Sequence, residues 1–167
     1  MGNLLIGKIM NQITRFLKLC KKIYKVKKDK DLLQWIDFQV DEKSSNNQLS
    51  NLQRSILKRG TVVWVDFGIN IGDEFSGKHP AIILRAYRNG RTAYFLPIDS
   101  GDAENYKKKK YCLEIPYING FPKQNRYINA YRVQSLSTNR IDFNQRIGYL
   151  SEEVLIKVDE IVRKFAY

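Results

Sequence analysis

The sequence predicts a mainly β domain with helices, an α+β arrangement: a small antiparallel sheet or barrel, a C-terminal helix packed on it, and a helical extension in front. Three observations carry this. Short apolar runs of strand length recur between residues 60 and 150 with turn residues between them. Asn89-Gly90 falls between two of those runs, a two-residue hairpin signal. Apolar residues at helical spacing occur near both termini.

The first element is an amphipathic helix. From Leu4 to Lys28, Leu5, Ile9, Ile13, Phe16, Cys20 and Ile23 recur at steps of three and four, with lysines on the other side. Such a stripe packs on its own domain or a partner; a basic helix of this kind also suits a membrane surface or nucleic acid. A second helical piece, "DKDLLQWIDFQVDEK", leads into the polar run "SSNNQLSN", read as a linker, which places a boundary near residues 44–58. The division expected is therefore a basic extension over 1–58 and a domain over 59–167. In that domain "GTVVWVDFG", "PAIILRAY" and "TAYFLPI" read as strands, followed by "KYCLEIP", "RYINAYRVQSL" and "RIGYL". Alternation along the first strand sends Val63 and Val65 to one face and Trp64 and Asp66 to the other. Trp64 and Phe67 are read as core. The chain closes with "SEEVLIKVDEIVRKFAY", in which Ser151 is the N-cap and Glu152, Glu153, Arg163 and Lys164 complement the helix dipole. Val154, Leu155, Val158, Ile161, Val162 and Phe165 form one face, which covers the sheet.

The 167 residues carry a formal charge of +12 and a pI near 9.7. That balance favours a polyanionic partner, nucleic acid first. Residues 1–59 hold 13 Lys/Arg against 5 Asp/Glu, and residues 60–167 hold 16 against 12, so the excess is concentrated in the extension. Two distant cysteines, Cys20 and Cys112, and a single histidine disfavour a structural zinc site. Isolated thiols suit a reducing compartment, although two cysteines also permit one disulfide. The apolar stretch Leu4-Leu5-Ile6 is too short for a signal sequence or a transmembrane helix, so a cytoplasmic location is expected.

Taken in order, "RGTVVWVDFG", "IGDEFSGKHPAIIL", "FLPIDS", "YRVQSLSTNRI" and the terminal amphipathic helix resemble the MazF/PemK (Kid) toxins of bacterial toxin–antitoxin systems over about residues 59–167. The resemblance implies a compact, partly open SH3-like β-barrel with helices at its edge, of the CcdB–MazF type, and a homodimer. It implies an endoribonuclease that cleaves single-stranded RNA without metal or cofactor and is restrained by a cognate antitoxin. CcdB relatives with this fold poison gyrase, so the fold alone does not set the target.

Metal-free RNA cleavage needs a base for the 2′-hydroxyl, a cation or donor for the phosphorane, and an acid for the leaving 5′-oxygen. The resemblance supplies a glutamate in the loop between the first two strands, matched by Glu74, and an arginine before the proline, replaced by His79. An imidazole cannot fork onto two phosphate oxygens as arginine does. It titrates near neutrality and can instead transfer protons. Lys78 or Arg85 then supplies fixed positive charge. In the Kid branch a histidine precedes the glutamate, where this chain has Asp73, and a functional arginine and aspartate fall on Asn129 and Tyr131. Asp99 and Ser100 are nearest to a threonine or serine that touches phosphate in many members; an aspartate there repels RNA unless it is paired or acts as a base. Arg132 and Arg140 are the remaining phosphate-binding candidates. The lysine run 107–110 reads as a solvated loop, with Tyr106 and Tyr111 beside it as stacking candidates.

The leading expectation is an endoribonuclease toxin in which Glu74 and His79 exchange protons while Lys78, Arg85 or Arg132 holds the phosphate. The alternatives are a catalytically silent module that binds RNA or protein, and a gyrase-poisoning relative.

Overall fold

The computed structural model describes residues 12–18, 49–70, 72, 74–87, 90–101, 104, 106 and 109–166. The chain forms two compact units, Met1–Asp41 and Glu42–Tyr167. In the first, residues 12–18 form helix α1, on which Ile13 and Phe16 are exposed. The rest of the stripe from Leu4 to Lys28, the piece "DKDLLQWIDFQVDEK", and Cys20, Asp73, Asn89, Lys107 and Lys108 lie outside the described residues.

The first described element of the second unit is α2 (Asn51–Ile56), which starts at the last residue of the run read as a linker and lies within the boundary region 44–58. The overlooked signal is the spacing of Ser50 and Gln53. Ser50 Oγ accepts from Gln53 N at 3.2 Å and Gln53 Oε1 accepts from Ser50 N at 2.8 Å, a reciprocal capping box. Ile56 and Leu57 then pack against the core.

Seven strands follow: β1 (Thr61–Asp66), β2 (Lys78–Ala86), β3 (Thr92–Asp99), β4 (Cys112–Glu114), β5 (Tyr127–Asn129), β6 (Gln134–Ser137) and β7 (Gly148–Tyr149), then helix α3 (Glu152–Ala166). The antiparallel order is β4-β5-β3-β2-β1-β7, with β6 also paired to β3. Two expectations need correction. The β2–β3 connection runs from Ala86 to Thr92, longer than a two-residue hairpin, and is closed by Tyr87 N donating to Thr92 O at 2.9 Å. The run "RYINAYRVQSL" is two strands separated by a 3-10 turn, Ala130–Arg132. Along β3, Ile98 pairs with Ile128 and Phe95 with Gln134. Three steps on β3 thus face six on the other side, and the surplus coils into the turn.

Alternation produces two apolar faces. Val62, Ile82, Leu96 and Ile98 join Val154, Leu155 and Val158 of α3 in one cluster. Val63, Val65, Ala81, Ile83, Ala93 and Phe95 form the other, with Phe67, Phe75 and Ile141. The sheet curls until its ends meet: Asn119, just after β4, exchanges backbone hydrogen bonds with Tyr149 of β7 at 3.0 and 2.9 Å. Glycine permits this seam. A Cβ on Gly148 would lie 2.7 Å from Asn119 O, and one on Gly120 2.7 Å from Ile147 O.

On α3, Ser151 Oγ accepts from Val154 N at 3.4 Å, in the N-cap role expected of it. Replacing Ser151 with alanine is expected to cost about 1 kcal/mol, seen as a lowered thermal midpoint, with glycine less costly. Among the described residues no helix is long and apolar enough to cross a membrane.

Candidate functional site

The β1–β2 loop is shaped by short-range bonds. Phe67 N donates to Gly77 O at 2.9 Å and Gly77 N to Gly68 O at 2.7 Å, pinching its base. Asn70 Nδ2 donates to the carbonyls of Phe67 and Phe75 at 3.2 and 2.5 Å. This folds Phe75 inward until it is 6% exposed and edge-on to Phe67, with centroids 5.1 Å apart. An isolated aromatic in the polar run "DEFSG" was the available sequence signal for such an anchor.

His79 follows on β2, opposite Val65 of β1. On the other side Ala81 pairs with Pro97. One further cross-strand step brings His79 opposite Asp99, and alternation turns both toward the Phe75 face. The imidazole packs on Phe75 at 4.4 Å between ring centroids. Arg132, from the 3-10 turn, lies with its guanidinium carbon 4.9 Å from the centre of the same ring and Nη1 3.6 Å from Asp99 Oδ2. Tyr106 is buried, donates its hydroxyl to Asp99 and stacks on Tyr127 at 5.1 Å. His79, Phe75, Arg132 and Asp99 thus form one ring, in contact from His79 through Phe75 and Arg132 to Asp99 and closed by the Asp99 charge acting on His79, with Tyr106 behind the carboxylate.

Electrostatics tune the cluster. Burial lowers the His79 pKa below 6.5; the Asp99 charge and a hydrogen bond with the Ser76 backbone work against this, while Arg132 adds to it. Neutral imidazole therefore prevails at pH 7. Burial, reinforced by the bond to Asp99, raises the Tyr106 hydroxyl to about 12, so it stays a donor. Asp99 is paired rather than bare, which removes the repulsion an isolated carboxylate would present to RNA.

A cleft of about 500 Å³ opens beside this ring, lined by Trp64, Lys78, His79, Asp99, Ser100 and Arg126 among others. Lys78 Nζ lies 2.7 Å from Asp142 Oδ2, and its hydrogen bond holds that carboxyl below the usual range. Of the residues singled out from sequence, Lys78, His79, Asp99 and Ser100 meet on this cleft, and Arg132 joins through Asp99. Glu74 is exposed on the loop, next to Phe75, and does not line the cleft. Arg85 and Arg140 are not brought to the cleft. Arg85 is exposed six residues further along β2, about 20 Å away at strand spacing, opposite Tyr94. Arg140 donates to the Asp66 carbonyl at 3.2 Å, tying the turn Thr138–Arg140 to β1. Asn129 Oδ1 caps the 3-10 turn by accepting from Tyr131 N. Tyr131 is exposed and packs with Tyr111 and Phe165. Trp64, read as core, is half-buried and packs against the cluster of Val62, Ile82 and Leu96, with part of its surface on the cleft. Phe75 and Arg126 were missed as site residues, and Tyr106, expected as a stacking surface for RNA, is instead buried behind Asp99. Cys112 is a half-buried free thiol on β4.

Residues 58–166 match the family model described as PemK-like, MazF-like toxin of type II toxin-antitoxin system. No curated protein matches the chain. Among solved structures, MazF from Deinococcus radiodurans is 20% identical with a TM-score of 0.52, over 65% of this chain and 94% of that one. An endoribonuclease in complex with its cognate antitoxin, from a mycobacterial species, is 15% identical with a TM-score of 0.48, over 64% and 90%. The MazE–MazF complex of D. radiodurans gives 21% and 0.49, over 66% and 96%. The first likeness shows the fold: a curled antiparallel sheet with a C-terminal helix. Since the family match spans well over half of its length, the chain belongs to the PemK-like, MazF-like toxins of type II toxin–antitoxin systems.

Proposed function

We propose that this toxin is an endoribonuclease that cleaves single-stranded RNA by proton transfer without a metal, with His79 as the general base. The observation that carries the reading is the convergence of a neutral imidazole, a paired carboxylate and a guanidinium, His79, Asp99 and Arg132, beside an open cleft. His79 takes the 2′-hydroxyl proton as the 2′-oxygen bonds to phosphorus and the bond to the 5′-oxygen breaks. Asp99 stabilises the imidazolium so formed. Arg132, held by Asp99 and Phe75, faces the charge that grows on the phosphorane. The Lys78 ammonium, the residue next to His79, supplies the proton for the leaving 5′-oxygen. Asp99 thereby takes the carboxylate role that the sequence suggested for Glu74. Family membership supports a cognate antitoxin as the restraining partner.

The test incubates the full-length chain with a long RNA in excess EDTA and maps the ends. Discrete cuts leaving 2′,3′-cyclic phosphate and 5′-hydroxyl ends are expected, since the 2′-oxygen is the nucleophile. Intact RNA that is shifted on a low-salt native gel would instead make the chain a binding module.

A further inference from the structure

Arg126 is 3% exposed, yet among the described residues no carboxylate holds it. Its Nη1 donates to the carbonyls of Pro122 at 2.8 Å and Gln124 at 3.5 Å, and its guanidinium carbon lies 5.4 Å from the centre of the Phe121 ring. Its Nε is a buried donor with no hydrogen-bond partner among the described residues. The charged group that acts on it is another cation, Arg146, which together with burial lowers its pKa. Arg146 is exposed and has no ion pair among the described residues. Both line the cleft that His79 and Asp99 border, together with Trp64, Gln124 and Gln145.

A buried guanidinium with an orphan donor and a like-charged neighbour is costly unless something completes it. The missing component is an anion. Two guanidinium forks converging on one cleft suit the tetrahedral oxygens of a phosphate. The amides of Gln124 and Gln145 and the indole of Trp64 add hydrogen-bonding and stacking surface suited to an attached base.

We propose that Arg126 and Arg146 form a second phosphate subsite, which holds an RNA phosphate flanking the scissile one and so sets where the strand lies relative to His79. The proposal rests on the endoribonuclease reading of the same cleft. Arg126 positions the phosphate from the wall and Arg146 closes on it from the rim. Neither takes part in proton transfer.

The test measures binding of a short, uniformly 2′-fluoro oligonucleotide, which lacks the nucleophile, across a salt series for the full-length parent and for Arg146→Gln, Arg126→Lys and His79→Ala. Arg146→Gln is exposed and keeps the fold; Arg126→Lys keeps the charge and loses the fork. One lost phosphate contact on a single strand flattens the slope of log K against log salt by about 0.7. That loss is expected for Arg146→Gln, and Arg126→Lys is expected to bind more weakly. His79→Ala should retain the parent slope. In cleavage assays Arg146→Gln should raise KM and leave kcat nearly unchanged. Parent-like binding, slope and KM in both arginine variants, with a parent that cleaves, would overturn the subsite and leave the endoribonuclease reading standing. A parent that binds without cleaving, with the slope reduced in Arg146→Gln, would uphold the subsite and remove the catalytic reading. A parent that does neither removes both. If the arginine variants lose binding to an acidic antitoxin peptide but not to the oligonucleotide, the pair belongs to a protein partner and the subsite is wrong.

Discussion

His79→Ala is expected to lower the rate of RNA cleavage about 10²–10⁴-fold, the usual contribution of a positioned general base, with the protein still folded. His79 sits at the start of β2, half-buried against Phe75, so truncation removes the imidazole without opening the central core. The pH dependence identifies its role. Burial holds its pKa below 6.5 and the neutral form is the base, so activity should be full at pH 7 and fall as pH drops through that lowered pKa. Asp99 raises this pKa and Arg132 lowers it. Asp99→Asn should therefore move the acid limb to lower pH and Arg132→Ala to higher pH, besides their effects on rate. An imidazolium acting as acid would give the opposite profile, with activity falling as pH rises, and would reverse the assignment. Folding carries the same sign. A histidine whose pKa is lower in the folded state contributes stability above about pH 6.5 that is lost on acidification through the folded pKa. Denaturant melts of parent and His79→Ala at pH 7 and pH 5 measure that difference.

The strands β1, β2 and β3 were legible because each is a short apolar run ended by glycine or polar turn residues, and the helix α3 because its cap, end charges and stripe agree. What escaped was set by non-local geometry. Nothing in the alternation of "RYINAYRVQSL" announces a break, since the three surplus residues exist only relative to β3. The same holds at the site. "GKHP" pointed to His79, but its partnership with Asp99, twenty residues on, follows from the β2–β3 register. Arg132 reaches Asp99 because the turn that breaks the strand carries it there. Neighbourhood in sequence pointed first to Glu74, and neighbourhood across the sheet is what places Asp99 beside His79. Trp64 packs against the core cluster as alternation led one to expect, but alternation does not reveal that its end of the sheet also borders an open cleft.

Phe95→Ala is expected to produce the largest loss of stability, about 3–5 kcal/mol for an aromatic removed from a closed core. Phe95 is fully buried on β3, between Ile83 of β2 and Gln134 of β6, in the cluster with Val63, Val65 and Phe75. Backbone ladders run on both sides of it, so the strand cannot move in to fill the space. Small domains are stable by about 5–15 kcal/mol in all, so the variant gives up a large share of its margin. The midpoint of a urea titration should fall with the slope unchanged. Leu96→Ala supplies the comparison from the other face, where Leu96 packs with Val62, Ile82 and the α3 residues Leu155 and Val158; there the expected cost is about 2–5 kcal/mol. A sheet with one wet face would make one of the two substitutions cheap. Two large losses are what a sheet buried on both faces requires. A cost below about 1 kcal/mol at Phe95 would mean that the face beneath His79 and Asp99 is not packed as core, and that their positions are not held by it.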